Sequence, residues 1–138
     1  MKSKQIAYVF MFVVGLTGCS AHNPYIIKNT TEVKQVGASK YLSHSNRVYV
    51  TSASLPATAK YEILGQVEVG KVWYGSSDNV LQSLADGARE LGADAVVQVK
   101  TWHQPSGWAW AAPHGSGKAI KITEPGSVDL STLGGEWK

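Results

Sequence analysis

Residues 76–102 read SSDNVLQSLADGARELGADAVVQVKTW, and this stretch decides the fold class. The polar residues 76–78 offer oxygen atoms that cap the free amide groups of a helix, and the acidic residue suits the positive end of its dipole. Gly92 provides the left-handed residue at which helices commonly end. The Val-rich run 95–102 predicts a strand covered on part of both faces. The apolar stripe of the helix consists of Val80, Leu81, Leu84, Ala85, Ala88 and Leu91.

Alternating β-forming residues on both sides of this unit predict further strands at 47–51, 61–73 and 119–123. The segments that join them are short, which favours a compact arrangement of neighbouring elements. The sequence therefore predicts an α+β fold in which one helix packs on a mainly antiparallel sheet, in the order β-β-α-β-β. Such a core is small, so self-association or docking to a partner would stabilise it.

The chain has 138 residues, which leaves room for a single small domain. We predict a signal peptide at 1–18, a lipid-anchored tether at 19–46, the α+β domain at 47–124 and a flexible C-terminal tail at 125–138. The tether is rich in polar residues with weak periodicity, and the tail is rich in Gly and Ser.

A short positive segment at the amino terminus precedes an apolar run of about 11 residues, whereas a membrane-spanning helix needs roughly 20. The run ends in Leu16-Thr17-Gly18-Cys19, which is similar to the lipobox of bacterial lipoproteins. The Cys19 thiol is the nucleophile that would take a diacylglycerol thioether, and two or three acyl chains such as palmitate would make the attachment stable. The alternative is an ordinary signal peptide followed by an unmodified cysteine.

Loss of residues 1–18 would remove two of the 13 basic side chains, which face 10 acidic ones, so the mature chain is almost neutral. The composition therefore gives no support to a nucleic-acid partner. The predicted attachment is to a membrane through covalent lipid at Cys19. By resemblance to bacterial lipoproteins, Ser20 implies sorting to the outer membrane, with the domain facing the periplasm.

Three segments of the domain, LGQVEV (64–69), ARELGADAVVQV (88–99) and GKAIKI (117–122), resemble the YbjQ/RcsF-like family of small α+β domains. The resemblance covers residues 61–123. For YbjQ-like members it implies a ring-like oligomer and a heavy-metal role. For RcsF-like members it implies a periplasmic or surface-exposed sensor that contacts other envelope proteins. RcsF-like domains rely on disulfides, which a chain with one cysteine cannot form internally.

His103 and His114 are the candidate ligands for a weak metal site. Zinc needs three or four ligands, and the other two histidines, His22 and His44, lie in the predicted tether. The alternative is that both are ordinary loop histidines. No serine lies in a Gly-flanked strand-to-helix elbow, and the carboxylates form no catalytic pair, so we predict no enzyme and no cofactor.

Residues 102–114 read WHQPSGWAWAAPH and are predicted to form a loop between two strands. Trp108 and Trp110 are the candidate contact residues for a partner, because Trp is favoured in protein hot spots and at membrane interfaces. The alternative is that they fold back over the small core. Trp102, at the end of the Val-rich strand, is expected to pack.

These observations together predict a non-enzymatic, lipid-anchored cell-envelope protein that acts by protein–protein contact, in envelope sensing or assembly. Its expected partner is another envelope protein, and a homo-oligomer is a further option. The alternative function is that of a small-ligand or metal-binding lipoprotein.

Overall fold

The computed structural model describes residues 29–38, 40–107 and 109–138. This part of the chain forms one helix and a six-stranded mixed sheet, so the predicted α+β class is confirmed. Two short 3-10 turns lie near the carboxyl end, at Pro125–Ser127 and Leu130–Leu133. In chain order the elements are β1 (Thr30–Gln35), β2 (Tyr49–Val50), β3 (Tyr61–Gly70), α1 (Ser77–Glu90), β4 (Ala95–Ser106), β5 (Ala109–Ile122) and β6 (Glu136–Trp137).

The strands lie in the order β1-β3-β5-β4-β2-β6 across the sheet. All neighbours are antiparallel except β2 and β4, which run parallel, with Tyr49 beside Ala95. The predicted order β-β-α-β-β is therefore incomplete, because one further strand lies at each end of the chain order. The longest ladders are those of the central strand β5 with β3 and with β4.

The two added strands lie in segments that the sequence assigned to a tether and to a flexible tail, and the structure corrects both assignments. Strand β1 pairs with β3 along its whole length, with Val33 beside Val67, yet only Val33 is half-buried. Strand β6 has two residues and pairs with β2. Neither segment shows an alternating apolar pattern. Each is held by hydrogen bonds to the main chain of its neighbouring strand, and these bonds do not require buried apolar side chains.

Helix α1 packs on one face of the sheet as its apolar stripe predicts. Val80, Leu84, Ala85 and Ala88 are buried there, among valines of β3 and β4. Gly87 also faces the sheet, and a Cβ atom added to it would lie 2.7 Å from Cγ1 of Val67. Glycine at this position therefore allows the helix to lie close to strands β1 and β3.

The helix ends as predicted at Gly92, whose φ is +76°. The Gly92 amide donates to the Arg89 carbonyl at 3.0 Å, and the Ala93 amide donates to the Ala88 carbonyl at 3.0 Å. This pair of bonds is the Schellman pattern, which satisfies carbonyls that the helix leaves without partners. A Cβ at residue 92 would also lie 2.6 Å from the Leu42 carbonyl oxygen, so the segment before β2 closes over this turn.

The face of the sheet opposite the helix carries a smaller apolar cluster. It is formed by Tyr49, Ala95, Val97 and Ile120, and side chains from the carboxyl-terminal turns pack against it. Strand β4 therefore contributes buried residues to both faces, as its Val-rich sequence predicts.

The predicted loop between Trp102 and the last strand is wrong, because strands β4 and β5 continue as a hairpin to Ser106 and Ala109. Only residues 107 and 108 separate the two strands. Pro105 and Pro113 argued against strands here, since proline cannot donate to a ladder. Strand β3 ends opposite His114, however, and the Pro113 carbonyl accepts from the Lys71 amide just beyond that end. The missing donor of Pro113 therefore faces the end of the β3–β5 ladder and not its interior, where it would cost a ladder bond.

Candidate functional site

Three exposed aromatic side chains gather beside the β4–β5 hairpin. Trp73 is 61% exposed, Tyr74 is 53% exposed and Trp110 is 68% exposed. Trp73 and Tyr74 lie in the connection between β3 and α1, with ring centres 5.9 Å apart and planes inclined at 75°. Below, these three residues are called the aromatic surface.

Two hydrogen bonds from backbone amides attach the β3–α1 connection to the hairpin and so fix the aromatic surface. The Trp110 amide donates to the Tyr74 hydroxyl at 3.3 Å, which links strand β5 directly to the β3–α1 connection. The Lys71 amide donates to the Pro113 carbonyl at 3.1 Å. The aromatic side chains are therefore presented on an ordered support, which lowers the entropy cost of a contact made through them.

The amino-terminal end of the described chain lies at the same place. The side-chain oxygen of Asn29 accepts a hydrogen bond from the Val72 amide at 3.1 Å, one residue before Trp73. Asn29 and Trp73 also line a common shallow groove beside the helix. The described part of the chain therefore begins next to the aromatic surface.

The structure places one of the two predicted contact residues in this surface. Trp110 is exposed and belongs to it, whereas Trp108 lies outside the described residues. Trp73 and Tyr74 were not predicted, since they closed a run that reads as one long strand. The sequence signal that could have identified them is Gly70, where the strand ends. Residues after the end of a strand no longer alternate between a buried and an exposed face, so these two aromatic side chains need not be buried.

Trp102 lies on the hairpin but on another part of it. Its ring stacks on the imidazole of His114, with ring centres 6.0 Å apart and planes inclined at 25°. Its indole N–H donates to the side-chain oxygen of Gln104 at 2.8 Å. Trp102 therefore packs against a cross-strand neighbour while part of its ring remains exposed.

The two candidate metal ligands do not face each other. Trp102 pairs with His114 and His103 pairs with Pro113, so successive residues place His103 and His114 on opposite faces of the hairpin. His114 is buried, and its Nδ1 lies 2.9 Å from the Ala112 carbonyl oxygen. Within residues 29–38, 40–107 and 109–138, no group of three or more His, Cys, Asp or Glu side chains could hold a metal ion.

A second feature is an open groove of about 550 Å³ near the carboxyl-terminal turns. Its lining includes His44, Arg47, Asp94, Leu130 and Trp137. The Trp137 ring meets Tyr49 edge-on, with centres 5.1 Å apart, and remains partly exposed.

Most polar groups of this groove already have partners within the protein. His44 Nδ1 accepts from the Asn46 amide at 3.2 Å and its Nε2 lies 2.7 Å from the Ala93 carbonyl oxygen, so both ring nitrogens have partners within the protein. The carboxylate of Asp94 accepts from the Lys121 ammonium at 2.8 Å and from the Ile122 amide at 3.0 Å. These contacts tie the groove walls together and leave few groups for a ligand.

The predicted lipidation residue, Cys19, and the segment 1–18 lie outside the described residues. In the part of the chain that the structure describes, no helix is long and apolar enough to cross a membrane.

Comparison with family models, with curated proteins and with solved structures finds no match to this chain. The resemblance to the YbjQ/RcsF-like domains therefore stays a prediction from the sequence motifs.

Proposed function

We propose that this chain is a lipid-anchored cell-envelope protein, acylated at Cys19, that acts by contact with another envelope protein. The observation that carries the contact role is the aromatic surface of Trp73, Tyr74 and Trp110. The sequence motif Leu16-Thr17-Gly18-Cys19 and the following Ser20 support a location at the outer membrane, facing the periplasm. The role needs no catalytic group and no cofactor.

The chemistry of the aromatic surface suits protein recognition. Trp and Tyr are enriched among residues that dominate binding energy, because they bury a large area and lose few rotamers. Burial contributes on the order of 25 cal/mol per Å² of apolar surface, and these side chains are more than half exposed in the free domain. A partner that covers them therefore gains substantial apolar burial from three residues.

The short separation in sequence between Cys19 and Asn29 supports a partner close to the membrane. Residues 20–28 separate Cys19 from Asn29, and an extended chain spans about 3.5 Å per residue, which gives a reach of about 35 Å. Because the Val72 amide donates to the Asn29 side chain, the described chain begins beside Trp73, which supports a contact made near the proposed anchor. We infer that the contact is made within this distance of the bilayer.

Site-specific photo-crosslinking in intact cells tests the proposal. A photoreactive residue at position 110 or 73 should capture one discrete envelope protein. The matched control is position 42, where Leu42 is 91% exposed but lies beside Gly92 at the far end of α1. Equal capture from positions 110 and 42, or no protein captured from either aromatic position, would contradict the contact role.

A second variant separates contact from stability. With the photoreactive residue at Asn79, which lines the same groove as Trp73, the double substitution Trp73→Ala and Trp110→Ala should abolish capture. The free energy of unfolding should fall by less than about 1 kcal/mol, because exposed side chains away from the core contribute little. A loss of several kcal/mol would instead place these aromatics in the core.

A second candidate, a small-ligand-binding lipoprotein, would use the open volume of about 550 Å³ in the groove beside Arg47 and Trp137. Native mass spectrometry of the chain isolated from cells should then detect a stoichiometric small molecule, which Arg47→Ala would release. The metal-binding form of this candidate rests on His103 and His114, and their opposite orientations rank it lower.

A further inference from the structure

Strand β1 forms one edge of the sheet. Its pairing with β3 shows which of its residues direct their amide and carbonyl groups toward β3 and which direct them outward. The Val36 amide donates to the Leu64 carbonyl at 2.8 Å, directly beyond the pair of Gln35 with Gly65. Because hydrogen-bonded and non-bonded pairs alternate in an antiparallel ladder, the even-numbered residues of β1 bond to β3. The amide and carbonyl groups of Thr31, Val33 and Gln35 therefore point away from the sheet. Within the described chain, no strand pairs with this side of β1.

We propose that β1 pairs with β1 of a second copy of this chain, antiparallel and about a two-fold axis that passes beside Val33. The two sheets then form one continuous sheet. The outward groups of Thr31, Val33 and Gln35 bond to those of Gln35, Val33 and Thr31 in the second copy. Each outward group of the edge, which no described strand contacts, thus gains a partner of the kind that the ladder supplies elsewhere.

The charges of β1 select this register. The outward amide and carbonyl groups of the two copies can bond only when odd-numbered residues lie opposite odd-numbered residues. The possible registers therefore differ from one another by steps of two residues. With Val33 opposite Val33, Glu32 lies opposite Lys34 on both sides of the axis. A shift by two residues in either direction places Glu32 opposite Glu32, or Lys34 opposite Lys34. Opposite charges on facing strands stabilise the pair, and like charges destabilise it.

The charged side chains of the edge are available for this contact. Glu32 is exposed, and Lys34 has an exposed side chain although it donates to the Glu68 carboxylate at 3.0 Å. That carboxylate raises the pKa of Lys34, so the ammonium stays charged over the physiological range. In the dimer, Lys34 would lie between Glu68 of its own copy and Glu32 of the other copy. Lys34 and Glu32 would form a non-hydrogen-bonded pair, in which the side chains of facing residues lie closest.

The arrangement is compatible with two anchors in one membrane. Asn29 lies four residues from Val33, so the two Asn29 residues would be about 26 Å apart at about 3.3 Å per residue. The stretch from Cys19 to Asn29 can span about 35 Å in each copy, which exceeds half of this separation. The pairing itself uses only β1 and does not depend on the anchor.

Sedimentation equilibrium of the full chain in detergent tests the proposal by charge exchange. The wild-type chain should form dimers, whereas E32K and K34E should each weaken dimerisation by at least about ten-fold, since each creates like-charge pairs. An equimolar mixture of E32K and K34E should restore dimers, because every facing pair is then opposite in charge. The double variant E32K/K34E is the matched control and should dimerise by itself.

A proline at the axis provides a second test. The Val33 amide points outward, so V33P should keep the domain folded, as judged by its melting curve, while preventing dimers. If V33P does not fold, the charge-exchange mixture alone decides. A wild-type chain that stays monomeric overturns the proposal. So does a mixture of E32K and K34E that stays monomeric, or a wild-type dimer that both single variants leave intact.

Discussion

Arg89 donates a hydrogen bond from its Nη2 to the backbone oxygen of Lys138 at 2.5 Å. The same guanidinium donates from Nε to the Asn46 carbonyl at 2.9 Å and pairs with the Asp86 carboxylate through Nη1. The last turn of α1 is therefore hydrogen-bonded to the segment before β2 and to the residue after β6. This side chain joins parts of the chain that lie 43 residues before it and 49 residues after it.

Arg89→Ala should lower the free energy of unfolding by about 2 kcal/mol, because two backbone carbonyls lose a charged donor. Arg89→Lys should recover only part of this loss, since an ammonium cannot reproduce the planar fork of donors. Urea denaturation measures both values. Equal stability of all three proteins would show that the contacts contribute nothing.

Gly87→Ala should destabilise the domain, although alanine favours helix more than glycine does. The new Cβ would lie 2.7 Å from Val67 Cγ1, and Val67 is completely buried. Overpacking of this kind costs about 1–3 kcal/mol, which exceeds the gain of about 1 kcal/mol in helix propensity. Gly126→Ala is the control, because nothing lies within 4 Å of an added Cβ there. A more stable Gly87→Ala protein would refute the close contact between α1 and β3.

The Glu62 carboxylate should titrate below its ordinary range. The hydrogen bond from the Lys40 ammonium at 2.9 Å lowers the pKa of Glu62 below its ordinary value, and the Tyr41 hydroxyl lowers it further. A carboxyl with a lowered pKa stabilises the folded state above its unfolded pKa, and this stabilisation is lost as pH falls through the folded pKa. Lys40→Met should therefore raise the pKa of Glu62 in an NMR titration. Lys60→Met, the control, should leave it unchanged.

Cys19→Ser should release the chain from the membrane fraction, because the serine hydroxyl does not form the thioether on which the anchor depends. The control combines Cys19→Ser with Ser20→Cys, which keeps one thiol but moves it out of register with Leu16. This variant should also be released. Cell fractionation followed by immunoblotting measures the distribution, and membrane retention of Cys19→Ser would refute acylation at this residue.

Local sequence patterns predicted the centre of the fold. The stripe from Val80 to Leu91 and the left-handed Gly92 specify a helix, and the Val-rich run after it specifies a strand buried on both faces. These elements can be predicted because their burial imposes a period of 3.6 or 2 residues on the sequence. The extent of β5 was underestimated, since Pro113 argues against a strand unless its neighbour ends first.

The candidate site was predicted only in part. Trp110 could be selected because three Trp residues lie within nine positions of one another. Trp73 and Tyr74 lie more than 30 residues earlier, and no local pattern links them to the hairpin. Their association depends on the hydrogen bond between the Trp110 amide and the Tyr74 hydroxyl.

The sequence alone therefore determined the α+β class, the helix with its end at Gly92, and the motif around Cys19, because each depends on residues close together in the chain. The tertiary structure alone decided that Thr30–Gln35 and Glu136–Trp137 are strands. It also decided that Asn29, Trp73 and Trp110 lie at one end of the domain. The physical reason is that hydrogen bonds from backbone amides, to the backbone or to single side-chain oxygens of distant segments, hold these parts, and such bonds leave no periodic pattern in the side chains.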